Sequence, residues 1–65
     1  MNTLKELRIF AQSKNCEIVF NRSLCAYQVK REGFIFSEPV YASRDKRDKL
    51  YLSESDLLTI KSYIS

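Results

Sequence analysis

The sequence predicts an α+β domain: a three-stranded antiparallel sheet flanked by an N-terminal and a C-terminal helix, in the order α-β-β-β-α. Three observations carry this reading. Apolar residues recur at helical spacing near both ends of the chain; they alternate with polar ones across the middle; and the single glycine and single proline punctuate that middle stretch. The 65 residues make one small domain spanning 1–65, and a 45% hydrophobic content with eight aromatic residues is enough for a core. So small a core needs nearly all of these side chains, and a homodimer sharing one core is compatible with that economy.

The first element is an amphipathic helix over residues 3–14. Thr3-Leu4-Lys5-Glu6 has the form of a capping box, and Leu4, Leu7, Phe10 and Ala11 then fall on one face, with Met1 at its margin. Lys14-Asn15 supplies a cation and a stop. Ile9 lies off the stripe.

From Cys16 the period becomes two. Cys16, Ile18 and Phe20 alternate with Glu17, Val19 and Asn21, and Asn21-Arg22-Ser23 is turn chemistry. Cys25, Tyr27 and Val29 alternate with Ala26, Gln28 and Lys30 in a second strand. Gly33 closes a four-residue hairpin loop, Lys30-Arg31-Glu32-Gly33, from which Phe34–Phe36 return as the third strand. Ser37-Glu38-Pro39 interrupts the pairing, because proline has no N–H for a ladder, and Val40-Tyr41 briefly resumes it. Residues 43–49 carry no apolar side chain and read as an exposed loop, followed by a short extended piece, Leu50-Tyr51-Leu52. Ser53 then caps a second helix, with Glu54 and Asp56 in its first turn and Leu57, Ile60 and Ile64 as its buried stripe beside Tyr63.

Composition removes whole classes of chemistry. Without histidine there is no Ser-His-Asp or Cys-His nucleophilic site and no imidazole metal ligand. Two cysteines cannot complete a structural zinc site, and one glycine cannot build a phosphate-binding loop. The reading is therefore a non-enzymatic protein with no cofactor and no metal. No segment approaches the length of a membrane span and no N-terminal apolar run resembles a signal peptide, so the expected setting is cytoplasmic and away from membranes. Cys16 and Cys25 could form one disulfide; in a reducing compartment they read instead as buried thiols acting as small hydrophobes.

Three features could bind a partner. The net charge of +3 favours an anionic one, and Arg44, Lys46, Arg47 and Lys49 lie along the 44–49 loop with Tyr41 and Tyr51 at its ends, where they could stack on bases. Lys30 and Arg31 at the hairpin tip, with Arg22 on the preceding turn, could enter a groove as a β-ribbon does. Ile9, Val19, Ile35 and Leu58 are apolar residues that neither helix stripe nor one sheet face accounts for, and gathered together they would form a protein-binding patch.

The order helix, three strands, helix matches that of the double-stranded-RNA-binding domain, but Ser53-Glu54-Ser55-Asp56 would repel phosphate where that family presents lysines. A more local pattern, Arg31-Glu32-Gly33-Phe34-Ile35-Phe36-Ser37-Glu38-Pro39-Val40 followed by Leu50-Tyr51-Leu52-Ser53-Glu54-Ser55, resembles the wing of phage excisionase-type DNA-binding proteins. That resemblance implies a small winged helix as the alternative fold, with residues 24–32 as a recognition helix presenting Gln28, Lys30 and Arg31 to DNA.

The expected function is that of a small accessory or regulatory protein, of the size common in phages and mobile elements. It would bind nucleic acid, DNA ahead of RNA, through the basic tip and loop. The alternative is a protein-binding module that inhibits or modulates a larger macromolecule through a sheet edge and exposed apolar residues.

Overall fold

A computed structural model describes residues 3–65. Met1, expected at the margin of the first helical stripe, lies outside the described residues. The chain is a small α+β fold with two helices and antiparallel sheets. Helix α1 spans Leu4–Ser13. Its start is fixed by Thr3, whose hydroxyl accepts the Glu6 N–H and donates to the Glu6 carboxylate, both at 3.1 Å. It ends where Asn15 takes a left-handed φ of 59°, a conformation asparagine tolerates better than most residues. Helix α2 spans Glu54–Ile64 and carries a complete capping box between Ser53 and Asp56.

Between the helices lie β1 (Cys16–Asn21), β2 (Ala26–Arg31), β3 (Phe34–Ile35) and β4 (Val40–Tyr41), which form one sheet around β2. Strand β1 pairs along one edge of β2, from Cys16 opposite Arg31 to Asn21 opposite Ala26. The other edge of β2 is shared: β3 pairs at the Arg31 end and β4 at the Ala26 end. The expected interruption at Ser37-Glu38-Pro39 thus separates two short strands, and the register slips by two residues between Lys30 opposite Ile35 and Tyr27 opposite Val40. An even slip preserves which side chains point inward. Cys16, Ile18, Val29 and Val40 all face the helices and form the core with Leu7, Ala11, Leu57, Ile60 and Ile64. Leu4, Phe10, Tyr27, Leu52 and Tyr63 seal its margin.

Four expectations need correcting. Residues 24–32 are not a recognition helix: β2 occupies Ala26–Arg31, because Tyr27 and Val29 must alternate inward to meet Val40 and Ile18. The β2–β3 loop has two residues, Glu32 and Gly33, both at positive φ (50° and 86°), the turn geometry whose twist matches the flanking strands. Cys25 lies in the β1–β2 turn at φ 52° rather than in a strand, and it is only partly buried, whereas Cys16 is buried. The exposed loop expected over 43–49 is shorter, because β5 (Ser43–Arg44) pairs with β6 (Leu50–Tyr51) in a second, two-stranded sheet. Among the described residues no helix is long and apolar enough to cross a membrane.

Candidate nucleic-acid interface

The 43–51 hairpin is ordered by one carboxylate. Asp45 Oδ1 accepts the backbone N–H groups of Arg47 at 2.8 Å and Lys49 at 2.9 Å, while the Asp45 N–H donates to the Lys49 carbonyl at 3.0 Å. Asp48, at φ 61°, donates its N–H to the Asp45 carbonyl and accepts Arg44 Nη1 through its own carbonyl at 3.1 Å and its carboxylate at 3.3 Å. Asp45 is therefore turned into the loop, whereas the Asp48 carboxylate pairs with Arg44 and stays exposed. Lys46, Arg47 and Lys49 are exposed, and none forms an ion pair among the described residues.

The hairpin is tied to the β1–β2 turn. Ala42 donates its N–H to the Cys25 carbonyl at 3.1 Å, and Arg44 Nη2 lies 4.0 Å from Cys25 Sγ. The turn itself is held by Asn21, whose Oδ1 accepts the Leu24 N–H at 3.2 Å. This brings the exposed Arg22 to the same end of the molecule as the hairpin, a neighbour the sequence reading had placed beside Lys30 and Arg31. Five cations (Arg22, Arg44, Lys46, Arg47, Lys49) meet two acids (Asp45, Asp48) at this end. The other six cations and six acids of the chain cancel, so the entire net charge of +3 resides here.

Lys30 and Arg31 are elsewhere. They belong to β2, at the end opposite Ala26, and a six-residue strand separates the two ends by about 17 Å. Lys30 is half-buried between Glu17 and Ile35 across the ladder. Arg31 is engaged within the chain: Nε donates to Cys16 Sγ at 3.2 Å, Nη2 donates to the Ile64 carbonyl at 3.4 Å, and the guanidinium carbon stands 5.1 Å from the centre of the Phe36 ring. It closes the C-terminus of α2, where a cation suits the helix dipole. The two basic segments therefore do not share a face.

Tyr41 and Tyr51 are exposed, at 60% and 49%, but they stand at the base of the hairpin rather than at its loop. Of the outlying apolar residues, Ile9, Ile35 and Leu58 are exposed and Val19 is half-buried. The sequence reading missed Phe34 and Phe36, at 76% and 43% exposed, by assigning them to an ordinary strand. A cleft of about 410 Å³ between α1 and β1 is lined by Arg8, Gln12, Cys16, Glu17 and Ile18; Arg8 Nη1 donates to the Ile18 carbonyl at 3.1 Å and covers that point of the β1 edge. No family model, curated protein or solved structure matches this chain.

Proposed function

We propose that this is a small non-enzymatic accessory protein that binds nucleic acid, DNA in the first instance, through the end built from the Arg22 turn and the 43–51 hairpin. The observation that supports the reading is the partition of charge. All of the net +3 gathers around one ordered hairpin, and the remainder of the surface is neutral in sum. A two-stranded ribbon with Lys46 and Arg47 at its corner has the width to enter a major groove, and backbone cations of this kind supply affinity by releasing counterions. Exposed Tyr41 and Tyr51 offer stacking faces to a single strand.

Four exposed cations (Arg22, Lys46, Arg47, Lys49) would neutralise up to four phosphates, so log K should fall with log salt at a slope of about −3 to −4 on duplex DNA. The test is fluorescence anisotropy of labelled duplex DNA, single-stranded DNA and RNA at several salt concentrations, with wild type and Lys46→Glu/Arg47→Glu. Salt-dependent binding that collapses in the double variant supports the reading, and the preferred ligand separates groove from single-strand contact. Absence of binding at low salt overturns it and favours the alternative, a module that modulates a larger protein. That alternative is supported by the exposed run Phe34-Ile35-Phe36, at the far end of the sheet.

A further inference from the structure

We propose that the β3 edge pairs with the β3 edge of a second copy of this chain, as a two-fold antiparallel dimer centred on Ile35. The inference is independent of the nucleic-acid reading, which rests on the other end of the molecule.

The backbone sets the geometry. The tight turn pairs Arg31 with Phe34, and Phe36 donates its N–H to the Val29 carbonyl at 3.0 Å. Both backbone groups of Phe34 and the N–H of Phe36 therefore face β2, and those of Ile35, between them, face away from it. Strand β3 is the outermost in the order β1-β2-β3, so Ile35 offers a donor and an acceptor to an unpaired edge. The helices pack on β1, β2 and β4, and α2 ends against Arg31, so the helical layer stops short of β3. Phe34 is left 76%, Ile35 52% and Phe36 43% exposed.

The occupant follows from the sequence of the edge. Phe-Ile-Phe reads the same in both directions. An antiparallel two-fold through Ile35 sets isoleucine against isoleucine with two backbone hydrogen bonds. On the other face of the sheet it sets each Phe34 against Phe36 of the second copy, an aromatic cross-strand pair repeated twice. Arg31 lies against the Phe36 ring and holds that half of each pair in place. Gly33 turns and Ser37 leaves the strand, which confines the pairing to three residues.

The area is modest. At roughly 200 Å² for a large apolar side chain, the three exposed fractions amount to about 340 Å² per copy. Even with all of that area covered, the pair would bury at most about 700 Å² from these side chains, below the roughly 1,200 Å² of the smallest stable interfaces. Neighbouring backbone and the Arg31 stem must supply the rest, so the dimer is weak, with Kd in the micromolar to millimolar range.

Sedimentation equilibrium over a wide concentration range, without nucleic acid, tests the proposal on wild type and Ile35→Glu. Ile35→Glu puts two carboxylates at the two-fold axis but sits opposite Lys30 within its own chain, so it should keep the fold, by circular dichroism and melting, and remain monomeric. Wild type that stays monomeric at millimolar concentration overturns the proposal. So does a dimer that survives Ile35→Glu.

Discussion

The buried hydroxyl of Ser37 accepts the Val29 backbone N–H at 2.7 Å, so a side chain stands where a neighbouring strand would offer a carbonyl. This bond lets the outer edge of the sheet break between β3 and β4 without stranding a polar group in the core. No buried side-chain nitrogen or oxygen among the described residues lacks a partner.

Ser37→Ala should therefore cost about 1–3 kcal/mol, the penalty for leaving a buried donor unpaired. Urea denaturation would show it as a lowered midpoint with an unchanged m-value.

Arg31→Ala should destabilise the protein by about 1–2 kcal/mol, through loss of the α2 C-terminal contact and the Phe36 stack. Its effect on nucleic-acid affinity, measured where the variant is fully folded, should be small beside that of Lys46→Glu/Arg47→Glu. Comparable losses would return Arg31 to the binding surface.

The β2–β3 turn holds a glutamate where φ is +50°. Glu32→Asn would give the Asn-Gly pair that this turn favours and should raise stability by about 0.5–1 kcal/mol in dilute protein. Gly33→Ala should lower it by about 1 kcal/mol from backbone strain alone, since an added Cβ at φ +86° meets nothing within 4 Å. Thermal melts of both variants check the pair of signs.

Cys16 and Cys25 lie at opposite ends of the β1–β2 ladder, too far apart for an intrachain disulfide. Thiol titration of native protein should show Cys25 reacting first and Cys16, buried at 5% exposure, reacting at the rate of opening. Mass spectrometry after mild oxidation should find no internal bridge in the monomer.

Much of this fold is legible in the sequence because local signals and packing agree. Thr3 and Ser53 cap the helices where the pattern puts them, and Leu7, Ala11, Leu57, Ile60 and Ile64 are buried as their spacing requires. The second sheet is not legible, since Ser43-Arg44 and Leu50-Tyr51 pair through a loop organised by Asp45, and two-residue strands have no periodicity to detect. The placement of the basic residues was within reach. Successive turns on one strand lie at its opposite ends, so the Arg22 turn and the Glu32-Gly33 turn could never meet. The chain that runs back along β2 through β4 had to deliver the 43–51 hairpin beside Arg22. What the pattern could not show is that the helices stop short of β3, which is why Phe34 reads as core and stands in solvent.

The two-residue slip between β3 and β4 also limits how the length of this segment can vary. Removing two residues from 36–39 would leave Val40 pointing into the core opposite the same partners. Removing one would exchange Val40 and Tyr41, burying a phenol and expelling a valine. Insertions and deletions here are absorbed most readily in pairs, a single one needing a β-bulge to keep Val40 inward, so the segment acts as a parity filter on the evolution of the chain.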